Sequence, residues 1–444
     1  MKLLWFSLLL NITVATIQAQ TTSYKFDFGT DRAAKGYIAV TPTTAFSYKT
    51  GYGFDQGSTV EAIDRGGNAL TGDYITSNKP FYFSVKLPDG NYDVKLILGD
   101  AKGTSATTVR AECRRLMLEN IRTENGKQVT RTFTVHIKDS VIKDDHNKVI
   151  SNVKLKSRES DYLHWDNLLT IEFNDSLPKV CAMEIVPNEV AATIFLAGNS
   201  TVVDQAREPW AAWGQMIPRF FEPYVTAIGN YAESGETMKA FARERRLDKI
   251  WSLAKPGDYL FIEFTHNDQK PGGNHLDPFT TYKQTLKEWI AEARKRGMTP
   301  VLVTSMHRRN FDSSSHIINT LGDYPEAMRQ TAAEEKVALI DLNAMSKTLY
   351  EAWGPETSLK AFVHYPANTF PGQTTALADN THFSPYGAYE LARCIVKGIV
   401  AANLPVAKYL IKSTIEFDPA HPDAVGNFFW PQSAFVNAVK PDGN

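Results

Sequence analysis

The sequence predicts two folds in series, an antiparallel β-sandwich followed by an α/β domain with three layers around a parallel sheet. Three observations predict this. From Tyr24 to about Val186, apolar and polar residues alternate in short runs, and no helix of convincing length interrupts them. From Thr193 onward, strand-like runs instead take turns with helical patterns. At 444 residues the chain is too long for one ordinary domain and suits two.

Taken in order, Met1-Lys2, the apolar stretch Leu3 to Leu10 and the ending Ile17-Gln18-Ala19-Gln20 read as a signal peptide over residues 1–20. Its short apolar stretch cannot span a bilayer. No cysteine near its end points to a lipid anchor, and no later segment approaches the roughly 20 apolar residues of a membrane span. The mature protein is therefore expected to be exported, periplasmic or secreted, without membrane insertion. Residues 21–187 form the expected sandwich. Tyr92, Val94, Leu96 and Leu98 alternate with polar neighbours, as do Phe133, Val135 and Ile137, and Leu169, Ile171 and Phe173. Pro88-Asp89-Gly90-Asn91 and Asn125-Gly126 are turn words between them. The boundary falls near Pro187-Asn188.

Residues 188–405 carry strand-like runs at 193–197, 259–264, 300–304 and 337–342. Helical spacing links Trp213, Met216, Ile217, Phe220 and Phe221, and a second helix is expected from Tyr282 to Arg296, before Gly297. Such alternation gives a parallel sheet covered on both faces, with chemistry at the carboxyl ends of its strands. In residues 406–444, Phe417, Phe428, Phe429, Trp430 and Phe435 are too apolar for a free tail, so this extension is expected to pack on the body.

Composition excludes some functions. A net charge of -1 and the lack of a basic run interleaved with aromatics exclude a nucleic-acid partner. His275, His307 and His316 have neither helical nor zinc-type spacing, and no metal is expected. The three cysteines, Cys113, Cys181 and Cys394, cannot all pair, and Cys113 with Cys181 is open either as a disulfide or as two buried thiols. Oligomeric state leaves no trace in the sequence.

Three strand ends carry complementary groups. Gly198-Asn199-Ser200 follows Thr193-Ile194-Phe195-Leu196-Ala197, so a hydroxyl stands at the sheet's edge. Asp379-Asn380-Thr381-His382 sets a carboxylate three residues before an imidazole, in an expected loop ahead of a helix starting near Ser384-Pro385. Between them lies Glu263-Phe264-Thr265-His266-Asn267-Asp268, with an amide after an apolar run. Serine becomes a nucleophile when a base and an anion-stabilising pocket converge on it.

With Asn230-Tyr231-Ala232-Glu233-Ser234-Gly235, these segments resemble the four sequence blocks of the SGNH (GDSL-like) hydrolases, among them the rhamnogalacturonan acetylesterases, over residues 190–405. Trp210 and Trp213-Gly214-Gln215-Met216 add to the likeness. Phe26-Asp27-Phe28-Gly29 resembles the start of galactose-binding-like, carbohydrate-binding-module-type domains. The resemblance implies a flavodoxin-like sheet, Ser200 as nucleophile, His382 as base and Asp379 as its orienter. It also implies an oxyanion hole of Ser200, Gly235 and Asn267, no cofactor, and an acetylated pectic polysaccharide or oligosaccharide as substrate. Two residues depart from the family pattern: Asn199 stands for Asp, and Thr265 for Gly.

Substrate contacts are expected from Arg308 and Arg309, whose guanidinium forks suit a uronate carboxylate, and from His266 and Trp210. Each also has a plainer reading: a solvated pair, a structural imidazole, a core indole. The functional alternatives are a glycan-binding protein with weakened catalysis, prompted by Asn199 and Thr265, and an esterase of the same superfamily acting on lipid or aryl esters.

Overall fold

The computed structural model of the protein describes residues 23–30 and 32–442, and the expected signal peptide at 1–20 lies outside them. The first half holds β1 (Tyr24–Phe28), β2 (Ile38–Val40), β3 (Tyr52–Asp55), β4 (Glu61–Asp64), β5 (Asp73–Thr76), β6 (Phe81–Lys86) and β7 (Gly90–Gly99). After these come β8 (Ser105–Ala111), β9 (Arg115–Thr123), β10 (Gln128–Ile137), β11 (Val141–Lys143), β12 (Val149–Asn152), β13 (Leu168–Leu177) and β14 (Lys179–Pro187). One sheet runs β10-β7-β14-β1-β2, extended by β5 on β14 and β4 on β5; the other runs β3-β6-β13-β8-β9. The alternating residues of β7, β10 and β13 are all buried between the two sheets. Phe83 meets Phe26 and Phe28 edge-on, at ring separations of 5.1 and 5.0 Å. Cys181 lies on β14 of one sheet and Cys113 between β8 and β9 of the other; both are buried free thiols, as is Cys394, so the disulfide alternative is not realised.

In the second half β15 (Ala192–Gly198), β16 (Thr226–Asn230), β17 (Tyr259–Glu263), β18 (Thr299–Val303) and β19 (Ala338–Ile340) are all parallel, in the order β16-β15-β17-β18-β19. Successive side chains point to opposite faces. Ile194 and Leu196 pack toward α1 (Trp213–Met216), α6 (Leu342–Thr357) and α7 (Pro385–Ala401). Phe195 and Ala197 pack toward α2 (Met238–Arg243), α3 (Arg246–Leu253), α4 (Lys283–Lys295) and α5 (Tyr324–Glu335). The chain leaves β15 toward β16 on one side and later returns to β17 on the other. The loops at these carboxyl ends therefore diverge and open a crevice.

Of three local expectations, one is met and two change. The helix read over 213–221 is split into α1 and a 3-10 turn, Ile217–Phe220, because Pro218 has no N–H to continue the ladder. The 282–296 helix forms as α4, entered through a π-turn at Pro278–Tyr282. Asp379 and His382 lie on a strand rather than a loop: β21 (Leu377–Phe383) pairs with β20 (Phe362–Tyr365). α7 begins immediately after β21, with the Ser384 hydroxyl accepting from the Gly387 amide and Pro385 in the first turn.

The chain after α7 runs back across both domains. Trp430 Nε1 donates to Glu208 at 2.8 Å, and Phe435 packs edge-on against Tyr82 at 5.1 Å. Between the domains the buried Arg115 pairs with Asp204 at 2.7 Å and Arg114 with Glu208 at 2.7 Å.

Candidate active site

Ser200 follows β15 on a tight turn. A side chain on Gly198 would meet Val202 Cγ2 at 2.5 Å, so only glycine lets the chain close there. Asn199 supports the turn through its carbonyl oxygen, which accepts from the Thr201 amide at 3.1 Å and the Thr201 hydroxyl at 2.9 Å. This is the acceptor role an aspartate would play. The Asn199 amide nitrogen is buried without a partner among the described residues. Beneath the turn, Glu263 at the end of β17 accepts from Thr201 Oγ1 at 3.1 Å and Trp213 Nε1 at 2.7 Å, and burial lifts its pKa to about 7. Sequence reasoning missed Glu263 as a support; its signal was an acid ending an apolar strand.

His382 and Asp379 both lie on β21, and the Asp379 carboxylate folds back toward His382 by accepting from the Thr381 and His382 amides. Asp379 Oδ2 lies 2.9 Å from His382 Nδ1, and His382 Nε2 lies 2.9 Å from Ser200 Oγ. A carboxylate only accepts, so Nδ1 carries the proton and Nε2 accepts from the serine hydroxyl. Burial pushes the Asp379 carboxyl up. Hydrogen bonds from the His382 ring and from the amides of Thr381 and His382 outweigh that and hold its pKa well below the ordinary value. The arrangement can draw a proton from the hydroxyl and hold the resulting imidazolium against a fixed negative charge.

Gly235 follows β16 with φ of 81°, a left-handed conformation that suits glycine. Neither its N–H nor that of Ser200 is hydrogen-bonded to another described residue. Asn267, after β17, spends one amide hydrogen on the Glu236 carbonyl at 3.0 Å, which ties it to the Gly235 loop and leaves its second hydrogen available. β16 itself was not anticipated: Thr226-Ala227-Ile228-Gly229-Asn230 is short and broken by glycine.

The remaining expected contacts sort differently. The Arg309 guanidinium is spent on Ser358 Oγ at 2.8 Å, Asn380 Oδ1 at 3.2 Å and the Pro355 carbonyl, and its backbone N–H donates to Asn380 O at 2.8 Å. It braces the strand that carries Asp379 and His382 and is not an open carboxylate clamp. Arg308 is part-buried, bonds Thr320 Oγ1 at 3.2 Å and feels the charge of Asp379. Trp210 is 2% exposed and stands edge-on against the His382 ring at 5.6 Å, so it packs on the triad instead of offering an open face for sugar stacking. His266 is buried, and burial with nearby Arg308 pushes its pKa well below the ordinary value, keeping it neutral. Thr265 turns its hydroxyl to the Phe264 carbonyl and Tyr282, away from the serine. Glu159, His164 and Glu233 lie close enough to share a cation, but Arg246 and Arg158 already neutralise the two carboxylates.

Residues 196–388 match the GDSL-like Lipase/Acylhydrolase family. Residues 24–144 match the beta-agarase/YXIM esterase-like, galactose-binding domain-like family. The rhamnogalacturonan acetylesterase RhgT of Bacillus subtilis (strain 168) is 43% identical over 220 residues, 49% of this chain and 94% of that protein. The probable rhamnogalacturonan acetylesterase YesY of the same organism is 36% identical over 229 residues, 50% of this chain and 99% of that protein. Its uncharacterized esterase YxiM is 26% identical over 390 residues, 85% of this chain and 91% of that protein.

Proposed function

Because the chain belongs to the GDSL-like lipase/acylhydrolase family, as a carboxylic ester hydrolase with a galactose-binding-like domain ahead of the catalytic one, we propose that it removes O-acetyl groups from a pectic polysaccharide of the rhamnogalacturonan type. That the ester is a carbohydrate acetyl ester is supported by the relatives RhgT and YesY. The observation that carries the mechanism is the unbroken chain from Asp379 through His382 to Ser200, each step 2.9 Å.

Ser200 Oγ attacks the acetyl carbonyl carbon while His382 Nε2 takes its proton. The carbonyl oxygen becomes an oxyanion, received by the N–H groups of Ser200 and Gly235 and the second amide hydrogen of Asn267. His382 returns the proton to the departing sugar oxygen, and a water then repeats the sequence on the acetyl-serine to release acetate. Export through residues 1–20 belongs to the same proposal, since such a polysaccharide lies outside the cell.

Acetate release from acetylated rhamnogalacturonan, xylan and a small acetyl ester tests this. Ser200→Ala should lose at least about a thousandfold of turnover on all of them. Asn267→Ala should lose on the order of a hundredfold. Persistent turnover by a clean Ser200→Ala preparation removes the serine mechanism, and a preference for acetylxylan removes the pectic substrate.

A further inference from the structure

The segment Phe435–Asp442 crosses the catalytic face. Glu208 donates its N–H to Phe435 O at 2.8 Å, Asn437 donates to Glu208 O at 2.9 Å, and Trp210 Nε1 donates to Asn437 O at 3.0 Å. Further on, Lys440 Nζ stands 3.3 Å from Asp379 Oδ2. Asp442 pairs with Arg158, and its Cβ lies 3.2 Å from where a Cβ on Gly235 would be. Within three residues the segment thus reaches from the orienting carboxylate to the oxyanion loop, and Ser200 beneath is only 3% exposed. The segment is one wall of the cleft.

Beside it lies a cavity of about 300 Å³, lined among others by Arg158, Tyr162, Gln205, Arg207, Trp210 and Lys440. That volume is at the low end for a small-ligand site and fits one sugar ring. The cavity adjoins the triad: Gln205 donates to the Ser200 carbonyl at 2.9 Å, and Trp210 packs on His382. Its cations differ in commitment. Arg158 is neutralised by Glu233 and Asp442. The Arg207 guanidinium lies 5.2 Å over the Phe435 ring and makes no hydrogen bond or ion pair with another described residue. The Lys440 side chain is 49% exposed and forms an ion pair with Asp379.

We propose that Arg207 and Lys440 hold the carboxylate of an acidic sugar neighbouring the acetylated one, and so set the enzyme's preference for anionic acetylated glycans. The guanidinium fork matches a carboxylate bidentately, and the lysine supplies a mobile point charge from the same cavity. A carboxylate there draws Lys440 off Asp379 Oδ2, the oxygen used by His382 Nδ1, and so leaves the orienting charge to the imidazole. This deepens the esterase reading above and rests on it.

The test compares kcat/KM on an acetylated rhamnogalacturonan with the same polymer methyl-esterified, so that its carboxylates are masked. In the parent the ratio should favour the charged polymer and fall as salt rises. In Arg207→Ala and in Lys440→Ala the ratio should drop at least about tenfold. Arg207→Lys should recover part of the loss. Lys440 is half-exposed, so its replacement leaves the fold intact and carries the test even if Arg207→Ala folds poorly. A ratio unchanged in Lys440→Ala overturns the proposal. So does equal acceleration on both polymers when residues 436–444 are removed, which would make the segment a cover and no more. Failure of the esterase reading is distinct, since the parent would then release no acetate from either polymer.

Discussion

At the scale of the residue, Glu263 shows how a buried acid serves the nucleophile's turn. Both oxygens are engaged, one by Thr201 and one by Trp213, yet no cation among the described residues pairs with the carboxylate, and burial raises its pKa from 4.5 to about 7. Between those values the unfolded chain has released a proton that the folded protein still holds, so this group's contribution to stability falls as pH rises through that window. Asp268 adds to the same trend, its pKa lifted by burial from 3.8 to about 7. Glu263→Gln keeps an acceptor for one partner and cannot ionise. Relative to the parent it should gain stability progressively from about pH 4.5 to 7, by about 3 kcal/mol at the upper end. Thermal melts across pH 4 to 8 measure this, and a difference independent of pH would contradict it. Ser200, His382, Asp379, Gly235 and Asn267 could be marked in the sequence because each sits in a short block at a strand end. Glu263 shows in the sequence only as an acid ending an apolar strand, and its role depends on a neighbour 62 positions away in the chain.

At the scale of the element, the β20–β21 hairpin positions the base and is itself held from outside. Arg309 ties the Asn380 side chain to Ser358 and the Pro355 carbonyl, so it fixes the strand between Asp379 and His382. Arg309→Ala should cost roughly 1–3 kcal/mol of stability, the scale of a lost buried hydrogen-bonding partner. It should lower kcat on charged and neutral substrates alike. A selective loss on the charged polymer would return Arg309 to substrate binding. Sequence pattern located β7, β10, β13, β15, β17 and β18 because each presents a long or strongly apolar run. It missed β16, which is five residues with an internal glycine, and it read β21 as loop because Asp379-Asn380-Thr381 has no β-type composition. The strand forms there through pairing with Phe362–Tyr365, a tertiary cause that local propensity does not carry. At Pro218 the apolar period continued, but the backbone could not.

At the scale of the whole molecule, the sandwich and the catalytic domain are not two beads on a linker. Arg114 reaches across to the carbonyls of Gln205 and Trp210 and to Glu208; Arg115 pairs with Asp204, and Glu159 with Arg246, all of them buried. Lys138 donates to the Asn230 carbonyl at the end of β16, and Lys249 of α3 reaches Asp89 and Asp139. The contacts at Asp204, Gln205, Glu208, Trp210 and Asn230 fall at or after the ends of β15 and β16, beside Ser200 and Gly235, while those at Arg246 and Lys249 hold α3. Breaking one buried pair by removing a partner costs about 3–5 kcal/mol, and a whole domain is stable by only about 5–15 kcal/mol. Removing residues 23–187 takes the partners from Asp204, Glu208 and Arg246 at once and strips Leu116 and Trp165 from cores they share with the catalytic domain. The fragment 188–444 should therefore aggregate or lack a cooperative melt, and it should hydrolyse even a small acetyl ester poorly. A soluble fragment with a sharp transition and parental turnover on the small ester would show that the sandwich is a detachable module. With the fragment defective as expected, a loss of polymer binding on deletion says nothing about glycan recognition by the sandwich. That question needs point substitutions on its outer face, away from the arginines that hold the catalytic loops.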